Sequence, residues 1–155
     1  MAKFSHPDVF LDRVDQELGV SEWVHIDQTM IDTFADATGD HQWVHVDATR
    51  AAQEMPGGKT IAHGFLVLSL LASMSYEIFE VDNVAHTINY GLNKVRFTAM
   101  VTVNSRIRLR QTLASAKKRD DGSVLLALNA IIELEGSERP AAVAENLRLL
   151  FPQPA

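Results

Sequence analysis

"IAHGFLVLSLLASM", Ile61 to Met74, is the most apolar run of the chain, and its reading decides the fold. It is too short for a membrane span, which needs ~18–20 apolar residues, and it carries His63 and Gly64 near its start. Helical spacing extends it from about Ala62 to about Ile78. Its first half is apolar nearly all round, so the helix must be covered on most sides by the rest of the protein.

What covers it is written in the second half, where the apolar period changes from helical to two. Ile107, Leu109 and Leu113 alternate with Arg106, Arg108 and Arg110, and Val124, Leu126, Leu128, Ala130, Ile132 and Leu134 mark one face of a long strand. "RDDGS" between them reads as a hairpin turn. After the break "GSERP", a last strand places Val143, Leu147, Leu149 and Phe151 on one face, and shorter strands fit Val84 to Tyr90 and Asn93 to Phe97. The expected architecture is α+β, an antiparallel sheet of about five strands wrapped around one long helix.

Upstream, Asp27 is placed to cap a helix whose Ile31, Phe34, Ala35 and Thr38 share a face and which Gly39 ends. A shorter helix fits Ala48 to Met55, closed by the breaker "PGG". No repeat, low-complexity tract or linker divides the 155 residues, so residues 1–155 read as one domain. With 46% hydrophobic residues it can bury a core without staples, and with no cysteine a disulfide framework, a cysteine zinc site and a thiol nucleophile are excluded. The N-terminus has no signal-peptide pattern, which makes a cytoplasmic location the expectation. A net charge of −6 argues against a sequence-blind nucleic-acid binder, and no segment reads as a membrane anchor.

The polar residues cluster in "ATGDHQWVHVD", Ala37 to Asp47. "PGGKT" resembles the end of a phosphate loop, but Gln53 stands where the first glycine is required. There is no Gly-x-Ser-x-Gly elbow. His41 and His45 are four apart, as in a zinc peptidase helix, yet Gln42 replaces the catalytic glutamate and Gly39 and Trp43 oppose a continuous helix, so no metal is expected. Two readings remain open on local pattern: a polar turn capped by Asp40, or Asp40 and His45 sharing the handling of a water molecule. "AHGF", Ala62 to Phe65, bears on the choice. It puts His63 and Gly64 at the head of the buried helix, where free N–H groups can receive negative charge developing on an oxygen.

"FADATGDHQWVHVDATRAA" (Phe34 to Ala52) followed by "TIAHGFLVLSLL" (Thr60 to Leu71) resembles the MaoC-like dehydratases, the (R)-specific enoyl-CoA hydratases of hot-dog fold. The first family motif falls on Phe34, Gly39, Asp40, His41, Val44, His45 and Ala51, and the second on His63 and Gly64. The resemblance runs on through "INYGLNKVRF" (Ile88 to Phe97) and the sheet, covering most of the chain. It implies a hydro-lyase in which Asp40 and His45 activate water for addition across a trans-2-enoyl-CoA, with Gly64 N–H polarising the thioester carbonyl. It implies binding roles for Gln42 and His63, and an anionic coenzyme A or acyl-carrier-protein substrate beside Lys94, Arg96 or another basic side chain. It also implies a homodimer in fatty acid metabolism and no cofactor. Gln42-Trp43 stands where the family usually has Asn-Pro, which alters the turn. The alternatives are a hot-dog acyl-CoA thioesterase and a non-catalytic acyl-thioester binding subunit.

Overall fold

The structure, a computed structural model, describes residues 1–154. It opens with β1 (Ala2–Phe4), a 3-10 turn at Pro7–Asp12, β2 (Glu17–Val20) and β3 (Val24–Ile26). α1 (Gln28–Thr38), α2 (Trp43–Val46) and α3 (Ala48–Glu54) follow, then α4 (Gly64–Ser69), α5 (Leu71–Ile78) and β4 (Phe79–Val81). Four long strands complete the chain: β5 (Val84–Phe97), β6 (Ser105–Lys118), β7 (Val124–Leu134) and β8 (Ala142–Pro152).

The sheet runs β2-β6-β7-β8-β5, with β3 also on β6 and all of these pairings antiparallel. It has six strands rather than about five. The additions are β2 and β3, both too short for an alternating pattern to register in sequence. The two short strands expected between Val84 and Phe97 are one strand, β5, bent by register shifts near Asn89/Gly91 and Leu92/Lys94.

The long apolar helix begins at Gly64 and is interrupted at Leu70, which keeps right-handed helical backbone angles (φ −66°, ψ −15°), so α5 continues α4. Leu66, Val67, Leu71, Met74 and Ile78 are buried, and they meet Ile107, Leu109, Leu113, Val124, Leu126, Leu128 and Ile132 from the sheet in one core. Burying each such side chain contributes roughly 1.5–3 kcal/mol relative to leaving it in water. This is the arrangement of a sheet around a helix that the change of period implied.

β8 keeps its expected alternation. Val143, Leu147, Leu149 and Phe151 do share a face, but the core-facing side holds Ala142, Ala144, Asn146, Arg148 and Leu150. Cross-strand register fixes this, because Leu126 pairs with Arg148 and Leu128 with Asn146, and both leucines lie in the core. No helix among the described residues is long and apolar enough to cross a membrane.

Candidate active site

The polar cluster sits where the end of α1, the single turn of α2 and the head of α4 meet. α1 starts as its sequence requires, with the Asp27 carboxylate accepting from Met30 N, and ends on Gly39 in the left-handed region (φ 78°). That glycine turns the chain so that Asp40 is exposed, with its Oδ1 3.4 Å from Gln42 N. Gln42 occupies the cap position of α2 without a side-chain capping bond. α2 is one turn only, enough to direct His45 inward, where it is 7% exposed.

His45 is held at both ends. Its Nδ1 lies 2.7 Å from Ile61 O, and a carbonyl can only accept, so Nδ1 carries the proton and Nε2 keeps a lone pair. Its own backbone carbonyl accepts from Gln28 Nε2 at 2.8 Å, and Thr60 Oγ1 donates to Gln28 Oε1 at 2.6 Å. Burial holds the His45 imidazole below its ordinary value of 6.5, with His63 adding to the depression while the Ile61 carbonyl and Asp40 oppose it. The ring is therefore neutral at neutral pH.

His63 lies behind this group, 2% exposed. Its Nε2 donates to the backbone carbonyl of Asp40 at 2.9 Å, its ring stacks on His45 at 3.7 Å between centroids, and Phe34 packs against it at 5.1 Å. It ties the Asp40 loop to His45, and its Nδ1 has no hydrogen-bond partner. Gly64, the next residue, starts α4, so its N–H has no acceptor within the helix. A Cβ at Gly64 would lie 3.0–3.1 Å from ring carbons of Phe97, so only glycine fits without moving that ring.

Asp40, His45 and His63 each offer one donor atom, all within 4.8 Å of one another. A metal bonds imidazole in the ring plane at about 2 Å. Rings stacked 3.7 Å apart and tilted by 25° have planes that meet well beyond that reach, so the set does not fit one ion as it stands. His41, the other half of the spacing that resembled a zinc site, turns outward to Asp36 (Nε2 to Oδ1 2.8 Å), and that contact raises its pKa.

The structure thus brings Asp40, His45, His63 and Gly64 together, with Gln42 at the rim. Lys94 and Arg96 are not brought to them. In register they pair with Glu145 and Val143, odd-numbered positions of β8 whose side chains point away from the helix. Within this chain both stand on the outer face of the sheet, exposed, so neither reaches the cluster. Sequence reasoning missed Gln28, Thr60 and the role of Phe97. They come from three separate segments, and no local spacing announces a contact between them.

A family model described as the MaoC like domain matches residues 9–133. The 3-hydroxyacyl-thioester dehydratase Z of Mycobacterium tuberculosis is 48% identical over 132 residues, covering 85% of this chain and 87% of that protein. Nodulation protein N of Rhizobium leguminosarum is 44% identical over 139 residues, covering 89% and 86%. Among solved structures, the (R)-hydratase of A. caviae superposes with a TM-score of 0.70 at 18% identity, covering 91% of this chain and 96% of that one.

Proposed function

The chain belongs to the MaoC-like family, and on that premise we propose that it interconverts a trans-2-enoyl thioester and water with the (3R)-3-hydroxyacyl thioester. It is a hydro-lyase, as the dehydratase at 48% identity is named. The observation that carries the residue assignment is the fixed tautomer of His45, whose proton on Nδ1 is committed to Ile61 O and whose Nε2 lone pair is free beside Asp40.

In the hydration direction, Nε2 takes a proton as the water oxygen bonds to C3 of the enoyl group. Asp40 accepts the other O–H of that water and holds it in line. The Gly64 amide donates to the thioester oxygen as enolate character develops, and the proton held by the dyad returns to C2. Water is consumed whole, and no redox partner or metal is required by this balance. Gln42 stands at the rim and is assigned to substrate contact. His63, which the resemblance implied as a binding residue, is buried behind the dyad and is assigned instead to positioning.

The partner we propose is a second copy of this chain, paired along β5. That strand is a sheet edge of 14 residues, and it exposes Ile88, Tyr90, Leu92 and Phe97 by 41–54%. An uncovered edge of that length and polarity invites pairing.

The test is loss of enoyl absorbance with a crotonyl thioester, coupled to chiral analysis of the product. Asp40→Asn and His45→Gln should each reduce turnover about 10²–10⁴-fold with the fold intact by circular dichroism. Near-normal turnover in both variants would overturn the dyad assignment. Release of free thiol with no change in enoyl absorbance would favour a thioesterase.

A further inference from the structure

Three arginines on the open face of β6 are paired with carboxylates, whereas the buried Arg148 on β8 is not, the reverse of what desolvation favours. Arg106 pairs with Glu135, Arg108 with Glu133, and Arg110 with both Glu17 and Glu133, all on the open side of the sheet. Arg148, on the core-facing side of β8, is 3% exposed and, among the described residues, has no carboxylate within ion-pair distance. Its Nε is buried without a hydrogen-bond partner. The guanidinium lies over the ring faces of Tyr76 at 5.8 Å and Phe79 at 5.5 Å.

The guanidinium lines a cavity of about 330 Å³ together with Tyr76, Phe79, Thr87 and Leu150. Glu80 also borders the cavity, but its carboxylate is engaged by Lys3 at 3.2 Å. A guanidinium presents a fork of five donors that matches the oxygens of a carboxylate or phosphate. With aromatic rings on its faces and its donor edge unpartnered, the missing component is an oxyanion.

We propose that Arg148 and its cavity are a binding subsite for an oxyanion borne by the thioester substrate, a phosphate of its carrier or a carboxylate on its acyl group. The proposal rests on the thioester reading above. The cavity lies at the far end of the central helix, twelve residues from Gly64, or about 18 Å at 1.5 Å per helical residue. An extended acyl chain or carrier arm spans that distance.

Thermal unfolding tests the site without any turnover. In chloride buffer of matched ionic strength, inorganic phosphate or succinate should raise the wild-type Tm with the logarithm of its concentration, by roughly 5 °C once the anion is about 100-fold above its Kd. Arg148→Met should abolish the shift, and Arg148→Lys should retain part of it. With no anion to bind, the Met variant should unfold at or above the wild-type temperature, because an unpaired buried charge has been removed. A wild-type Tm that neither anion moves, or a shift that persists in Arg148→Met, overturns the proposal.

Turnover then separates the two sources. A KM raised about tenfold in Arg148→Met for a coenzyme A thioester, but not for the N-acetylcysteamine thioester lacking phosphates, identifies the carrier. A rise confined to ω-carboxylated enoyl thioesters identifies the acyl end. An unchanged KM in both series overturns the assignment to substrate. If no thioester is turned over at all, the hydratase reading fails while the thermal shift still decides whether the oxyanion site exists.

Discussion

Replacing His63 separates a positioning residue from a substrate-binding one. In His63→Leu the aliphatic side chain fills much of the space between Phe34 and His45, but it removes the 2.9 Å bond to Asp40 O and the stack at 3.7 Å on His45. The lost bond is worth about 1 kcal/mol and the lost stack about 0.5–1.5 kcal/mol, so the stability loss should be about 1–3 kcal/mol. Denaturant unfolding would measure it. The same change frees the Asp40 loop from His45, and a misplacement of about 1 Å between reacting groups costs up to ~10²-fold, so kcat should fall about 10–100-fold with little change in KM. His63→Gln, which keeps an N–H donor for the carbonyl, should recover part of that loss. The acid limb of the pH profile should also move. His63 helps to depress the His45 pKa, so its removal lets that pKa rise and shifts the limb to higher pH. A rise in KM with kcat and the acid limb unchanged would refute the positioning argument and return His63 to substrate binding.

Because burial holds His45 below 6.5, the acid limb of kcat/KM in the wild type should lie below that value. In the residual activity of Asp40→Asn it should lie lower still, since the carboxylate opposes the depression. The same group contributes to stability with a definite sign. The unfolded imidazole binds its proton more readily than the folded one, so this contribution is complete above about 6.5 and is lost as pH falls through the lower folded value, which urea midpoints against pH would show. Gly64→Ala should displace the Phe97 ring, lowering stability by about 1–3 kcal/mol and reducing kcat. Adding Phe97→Leu should restore part of the stability, and a fully active Gly64→Ala would disprove the need for close approach. Lysines at both Ile88 and Tyr90 should shift sedimentation from dimer toward monomer, whereas an unchanged dimer would place the interface elsewhere.

Much of the architecture could be read from periodicity, because its signals are local. Asp27 and Gly39 bound α1 through bonds that span a few residues, and the alternation of β6 and β7 follows directly from one face being buried. β2 and β3 escaped because three or four residues cannot establish a period, and their pairing with β6 is a long-range fact. The candidate site was partly legible for the same reason. Asp40 and His45 are joined by one turn, and His63 and Gly64 are adjacent, so their residue types and spacing carry information. The clamps on His45 from Gln28, Thr60 and Ile61 come from other segments and leave no trace in spacing.

β8 shows where this kind of reading must fail. A period of two establishes which residues share a face, but it does not establish which face turns inward. The pattern puts Leu147 and Leu149 on one face and Asn146 and Arg148 on the other, and the observed core lies against the second. The inward face is set by Leu126 and Leu128 across the strand pair, a constraint that lies outside β8. A polar residue that register carries inward against its own preference must find a partner or remain costly. Gln111, also buried, accepts at Oε1 from Ser75 across the core at 2.7 Å, whereas the Arg148 guanidinium meets, among the described residues, aromatic faces and a cavity. Gln111 is thus held by one bond within the chain, though its Nε2 stays unpartnered, while the charged Arg148 has none among the described residues, which is the reason for placing its missing partner outside the chain.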